Sequence, residues 1–380
     1  MLCPYFIADT CRSCSALDAA YAVQLETKQQ QLQKLLGNFA GYQLLPAVAS
    51  SEAAFRNKAK MVVMGSIDDP VLGIVNHHQQ QVDLTACPLY PTSFQQAFAH
   101  IRSFIRLAKL QPYQLAEKKG ELKFVLLTQS QSTGQWMLRF VLRSKNHLAS
   151  IVKHLPALQQ QWPELLVCSV NLQPEHKAVL EGEQEIVLTE QQQLPELFND
   201  VPLFIQPQSF FQTNPRLAAQ LYQSARDWTA DLPLKSVWDL FCGVGGFALH
   251  LAKSGRQITG IEISSAAIAC AHRSAALMQD VQLQFQALDA DAFAKAQQQS
   301  PDLLVVNPPR RGLGAALCQT VSQLKPAWLL YSSCNPQSLV QDLAALSDYQ
   351  LEKAQLFDFF PHTEHAEVLC LLQRRDSHAE

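Results

Sequence analysis

Past a proline-bounded segment at 202–207, short apolar runs begin to alternate with helix-patterned stretches, and this alternation limits the possible folds more than any other feature of the chain. Runs at 236–241, 257–262, 281–286, 303–307, 328–332 and 366–372 have the length of buried strands. Stretches at 247–253, 265–277 and 315–324 carry helical periodicity. Strands alternating with helices pair mostly in parallel, with helices on both faces of the sheet. The expected fold is α/β: a Rossmann-like, doubly wound domain at the C-terminus, whose ligands sit at the carboxyl ends of the strands.

The preceding part reads differently. Helices are expected at 21–36 and 93–110, and strands at 59–64, 71–75, 123–129, 136–142, 166–172 and 185–188, a mixed α+β pattern whose sheet order the sequence does not specify. Over 380 residues no apolar run approaches the ~18 needed to cross a membrane. The opening Met1-Leu2-Cys3-Pro4-Tyr5 lacks the pattern of a secretory signal, so a cytoplasmic protein with reduced cysteines is expected. The net charge of −3 hides an asymmetry: residues 54–145 hold twelve Lys/Arg against five Asp/Glu, and residues 146–205 two against eight. A basic block of that size is a candidate footprint for phosphates, or else a solvated surface.

Five strand ends carry chemistry. The turn Asp239-Leu240-Phe241-Cys242-Gly243-Val244-Gly245-Gly246 joins the first strand to the first helix, as a nucleotide-type cofactor requires. Glu262 ends the next strand, where a carboxylate accepts hydrogen bonds from ribose hydroxyls, and Asp289 follows the third within reach of an adenine. A dinucleotide and S-adenosylmethionine both suit this pattern. The incomplete glycine spacing and the rigid Asn307-Pro308-Pro309 edge favour the methyl donor over a nicotinamide cofactor. Cys334 follows the apolar run 326–330 in Tyr331-Ser332-Ser333-Cys334-Asn335-Pro336, which puts a nucleophilic thiol at the ligand-binding end of the sheet; a structural cysteine is the alternative. At the other end of the chain, Cys3, Cys11 and Cys14 form C-x7-C-x2-C, with Cys87-Pro88 as a distant fourth. Four thiolates hold zinc or a [4Fe–4S] cluster; a single C-x2-C with a remote Cys-Pro favours iron–sulfur.

The segments Asn307-Pro308-Pro309-Arg310-Arg311-Gly312 and Tyr331 to Pro336 together resemble the RNA uracil-C5 methyltransferases. The resemblance extends over essentially the whole chain, through Arg56-Asn57-Lys58, Gln208-Ser209-Phe210-Phe211-Gln212-Thr213-Asn214-Pro215 and Pro361-His362-Thr363-Glu364-His365-Ala366-Glu367. It implies S-adenosylmethionine bound by Gln212, Phe241, Glu262 and Asn307, Cys334 as nucleophile, and Glu367 as the base, with Glu364 as its competitor. It also implies a [4Fe–4S] cluster on Cys3, Cys11, Cys14 and Cys87. Many members carry Asp at the position of Asn307. The start of the chain leaves no room for the β-barrel RNA-binding module that precedes many relatives. That departure, with the cysteines and Asn307, points within the family to 23S rRNA as partner, with tRNA or another rRNA uridine as the alternative. A noncatalytic cluster-containing RNA-binding protein is the reading from another class. The expected organisation is a cluster-binding segment at 1–90, an α+β RNA-binding region at 91–205 and the methyltransferase domain at 206–380, working as a monomer. Lys118, Lys119, Lys123, Arg139 and Arg143 are candidate phosphate contacts.

Overall fold

The alternation after residue 236 builds an eight-stranded sheet. Its order is Gln43–Leu44, Tyr349–Phe357, Glu367–Arg374, Trp328–Ser333, Leu303–Val306, Ser236–Leu240, Gln257–Glu262, Gln282–Ala287. The five strands from Ser236 to Ser333 run parallel, and Glu367–Arg374 lies antiparallel between Trp328–Ser333 and Tyr349–Phe357. The chain leaves the central Ser236–Leu240 strand in one direction and returns to its other side with Leu303–Val306. The order therefore reverses there, and a crevice opens at the carboxyl ends. Helices Ala290–Ala296, Gly314–Leu324, Pro336–Ala345 and the distant Tyr21–Leu35 share one core with the sheet, through Phe293, Val321, Leu339 and Leu32. Helix Pro215–Trp228 packs with Gly246–His250. Polar side chains start the helices where the strands end: Asn214, Ser264, Asp289 and Asn335 each accept a bond from a first-turn N–H.

This computed structural model describes residues 1–177 and 179–375. The chain divides into two units: Met1–Cys14 with Glu52–Glu196 and Gln206–Gln208, and Ser15–Ser51 with Leu197–Ile205 and Ser209–Glu380. The division differs from the three consecutive segments expected from the sequence. Residues 52–196 form one body, and helix Tyr21–Leu35 belongs with the eight-stranded sheet. The first unit is a seven-stranded sheet in the order Gln81–Asp83, Pro70–Val75, Lys58–Gly65, Leu122–Gln129, Trp136–Leu142, Leu165–Leu172, Gln184–Val187. All its pairings are antiparallel except that of Trp136–Leu142 with Leu165–Leu172. Helix Ser93–Leu107 buries Phe94, Phe98, Ile101 and Ile105, an i, i+4, i+7 stripe, in a core shared with Met61, Val125 and Phe140.

Some elements escaped the sequence pattern. Helix Leu148–Gln161 contains Pro156, and strand Tyr349–Phe357 has a bulge between Leu351 and Lys353 that breaks its alternation. Lys123 and Arg139 are not free for phosphates. Both are buried; Lys123 donates to Gln173 and to the Glu175 carbonyl, and Arg139 pairs with Glu185 and Glu181. Arg143 pairs with Glu121, whereas Lys118 and Lys119 are exposed.

Candidate active site at the carboxyl ends of the strands

The glycine turn is built on left-handed backbone. Phe241 (φ +67°), Gly243 (+56°) and Gly245 (+89°) reverse the chain within five residues, and Gly245 caps the short helix that follows. A Cβ at Gly243 would meet nothing within 4 Å, so space lies open over the turn. Glu262, at the end of its strand, braces the turn from the side: Oε2 accepts from Gly243 N (3.2 Å) and Oε1 from Ser264 N (2.9 Å). Beneath them Asp239 is wholly buried. Its Oδ2 accepts from Ala248 N (3.0 Å), while Oδ1 has no partner among the described residues. Burial, reinforced by the Glu262 charge, pushes the Asp239 carboxyl up to about 8. Phe241 packs half-buried against the core, and Asn307 follows Leu303–Val306 at the same sheet end. Asp289 is taken up in capping, accepting from Ala292 N (2.9 Å).

Next to this turn lies the thiol. Cys334 follows Trp328–Ser333 and is half-buried. In the antiparallel register Ser332 faces Leu369 and Ser333 faces Val368, so Cys334, just past the end of its strand, and Glu367, at the start of the partner strand, lie at the adjacent ends of the pair. Side chains alternate along a strand, so Ser332 and Glu367 share one face of the sheet. The Ser332 hydroxyl donates to Glu367 Oε1 (2.5 Å). Glu367 is buried, and desolvation raises its carboxyl to about 7 against the pull of that hydrogen bond, whereas Glu364 is exposed. Burial and the Glu367 charge raise the Cys334 thiol; the Arg310 guanidinium lowers it and favours the thiolate. Tyr222 lies within electrostatic reach of both Asp239 and Glu367, and the thiol's strand and the strand of the glycine turn flank Leu303–Val306 in the sheet.

Two loops are pinned around the thiol. Arg310 bonds His365 Nδ1 through Nη2 (2.9 Å), and its carbonyl accepts from Asn335 Nδ2 (2.9 Å) and Ser338 Oγ (3.1 Å). Asp342 accepts from Leu313 N (2.7 Å), Gly314 N (3.2 Å) and Tyr331 Oη (2.6 Å). A Cβ at Gly312 would sit 2.3 Å from Asp342 Oδ2, so only glycine lets the loop close on that carboxylate. The loop before Glu367 is held from the far end of the sequence. Lys28 donates to Asp358 Oδ1 (2.7 Å) and to the carbonyls of His365 (2.9 Å) and Phe360 (3.2 Å); Gln24 Oε1 accepts from His362 N (2.8 Å). Gln24 and Lys28 are four apart on helix Tyr21–Leu35 and so share a face. Gln212 is buried just ahead of Asn214, whose Nδ2 donates to Ser50 Oγ (2.8 Å) and the Phe359 carbonyl (3.4 Å).

The candidate residues Gln212, Phe241, Glu262, Asn307, Cys334 and Glu367 thus all belong to the second unit. Ser332, Arg310, His365 and Lys28 were not singled out as site residues, because each acts through a partner that only the fold supplies. In the first unit, Cys3 is buried and Cys11, Cys14 and Cys87 are half-buried; all ten cysteines are free thiols. Burial raises Cys14 to about 11, with the charges of Cys87, Cys11 and Cys3 adding to it, and burial also raises Cys87, with Cys3 and Cys11 adding.

The model of the tRNA (uracil-5-)-methyltransferase family matches residues 20–375. A 23S rRNA (uracil(747)-C(5))-methyltransferase of Yersinia enterocolitica is 55% identical over 372 residues, covering 98% of this chain and 99% of that protein. The protein of the same name in Serratia proteamaculans is 55% identical over 374 residues, 98% and 100%. Among solved structures, the Pyrococcus abyssi tRNA (uracil-54, C5)-methyltransferase in complex with S-adenosyl-L-homocysteine superposes with a TM-score of 0.78 at 25% identity, over 94% of this chain and 85% of that one.

Proposed function

This chain belongs to the tRNA (uracil-5-)-methyltransferase family, and from that premise we propose that it methylates C5 of a uridine in 23S rRNA, the one its relatives are named for, U747. The observation that carries the chemistry is a half-buried thiol and a buried carboxylate at the adjacent ends of two paired strands. Uracil C5 is too weak a nucleophile to take a methyl group unaided. The Cys334 thiolate adds to C6, and the electron pair of the C5–C6 bond passes to C5 and the O4 carbonyl. C5 then takes the methyl group. Glu367 removes the C5 proton, the C5–C6 double bond re-forms, and the thiolate leaves. Arg310 supports the thiolate. The buried position of Glu367 supports its assignment over exposed Glu364.

S-adenosylmethionine, when bound, supplies the electrophilic methyl group. The open space over Gly243, the Glu262 carboxylate beside it and the unpartnered Asp239 Oδ1 beneath it fit such a ligand, with Gln212, Phe241 and Asn307 completing its site. Cys3, Cys11, Cys14 and Cys87 would hold a [4Fe–4S] cluster in a structural role, since methyl transfer moves no electron. Cys14 and Cys87 stand within electrostatic reach of Cys3 and Cys11, as ligands of one metal centre would. Among the described residues no three of their sulfurs lie within 4.8 Å of one another. That is wider than the ~3.8 Å edge of a thiolate tetrahedron built on ~2.3 Å zinc bonds. In functional terms, residues 1–90 carry the cluster, 91–205 take part in RNA binding and 206–380 carry the transfer. A cytoplasmic monomer belongs to the same proposal; no helix among the described residues is long and apolar enough to cross a membrane.

The test uses tritiated S-adenosylmethionine with unmodified 23S rRNA and bulk tRNA, comparing wild type with Cys334→Ala and identifying nucleosides by mass spectrometry. The expected product is 5-methyluridine in 23S rRNA, abolished in the variant. Label confined to tRNA would move the substrate, and label retained by Cys334→Ala would remove the nucleophile.

A further inference from the structure

Resting on that reading of Cys334 and Glu367, we propose that Ser332 is the positioning residue of the base: its hydroxyl holds Glu367 by Oε1 and presents Oε2 to the C5 proton. Ser332 is wholly buried in the middle of a sheet, where an apolar or β-branched side chain would ordinarily pack. Its hydroxyl is spent on Glu367, the only hydrogen bond to that side chain among the described residues. The contact is diagonal across the antiparallel pair, from Ser332 to the residue two before its partner Leu369. Ser332 is also two residues ahead of Cys334. One short stretch of strand therefore carries the nucleophile and the group that orients the base on the opposite side of the pair.

The physical demand is clear from the surroundings. A glutamate turns about three side-chain bonds, and proton abstraction requires one lone pair aimed at one carbon. The charged neighbours of Glu367 do not aim it: the Cys334 thiol and the Tyr222 phenol are acids whose ionised forms repel the carboxylate. The Ser332 hydrogen bond is what favours the ionised, base-competent form against burial. Removing it affects the last chemical step, after the thiolate has added and the methyl group has moved.

The experiment follows single turnovers of Ser332→Ala on a 23S rRNA fragment, with and without deuterium at uridine C5. Steps are separated by quenching and by denaturing gels that retain covalent enzyme–RNA complexes. S-adenosylmethionine binding, thermal stability and the rate of methyl transfer are expected to stay within about 2-fold of wild type. Release of methylated RNA is expected to slow by about 10-fold or more, part of the 10²–10⁴ a general base supplies. A methylated covalent complex then accumulates, and the deuterium isotope effect on turnover grows. Ser332→Thr, which keeps the hydroxyl, is expected to clear the complex. Turnover without accumulation in Ser332→Ala, equal slowing of methyl transfer and product release, or equal accumulation in the Thr and Ala variants would each overturn the assignment. Absence of methylation by the wild type would instead overturn the reading on which it rests.

Discussion

Glu367 shows how one buried carboxyl sets both rate and stability. With its pKa raised to about 7, it is ionised in only about half of molecules at neutral pH, so turnover is expected to rise with pH through that value. Glu367→Gln should lower turnover at least about 100-fold and trap the methylated covalent complex on gels. The same shift has a sign for folding. The folded state holds this proton more tightly than the unfolded chain, whose carboxyl titrates near 4.5, so the stability it contributes is present below that pH and lost as pH rises through about 7. Glu367→Gln escapes that loss and should gain roughly 2–3 kcal/mol more relative to wild type at pH 8 than at pH 5, read by denaturant melts. Cys334 and Glu262 were legible in the sequence because each ends an apolar run. The family motif and the opening of the last apolar run both favour Glu367 over Glu364, and the structure adds that Glu367 is the buried one of the two. Lys123 and Arg139 misled for the converse reason: a basic residue in a strand declares its charge but not the carbonyl or carboxylate that the neighbouring strand brings to it.

Among elements, helix Tyr21–Leu35 was predicted in place but assigned to the wrong company. Its Gln-rich surface reads as a solvated face, yet Gln24, Lys28 and Leu32 are buried against the loop and core of the methyltransferase sheet. Lys28 and Asp358 form a nearly solvent-free ion pair. Breaking such a pair leaves a buried charge uncompensated, so Lys28→Ala should cost about 3–5 kcal/mol in an unfolding experiment. It should also slow turnover, because Lys28 holds both ends of the loop before Glu367. Strand and helix types in the C-terminal half were largely readable from apolar runs and strand-end caps. Tyr349–Phe357 was not, because its bulge sets both Glu352 and Lys353 between buried Leu351 and Ala354, where alternation would call for one outward residue.

Taken as a molecule, the chain enters each unit more than once: 1–14 and 52–196 build one, 15–51 and the stretch from 209 build the other. The proposed cluster ligands Cys14 and Cys87 therefore close a loop of about 70 residues, and a metal centre there acts as a crosslink whose effect grows with loop length. Cys87→Ser is expected to lower iron content, bleach the visible absorbance of the anaerobically purified protein and reduce its melting temperature. S-adenosylmethionine affinity, carried by residues of the other unit, should hold within about 3-fold, checked by calorimetry. Sequence patterns could not show this interleaving, because periodicity reports which face of an element is buried and not which body buries it.

Lys28 and Asp358 are 330 residues apart. At ~5–20 residues per second of synthesis, the lysine leaves the ribosome roughly 20–60 s before its partner exists. Throughout that interval the nascent helix lacks the sheet against which Leu32 and Leu36 pack, so a helix made early is among the last to dock.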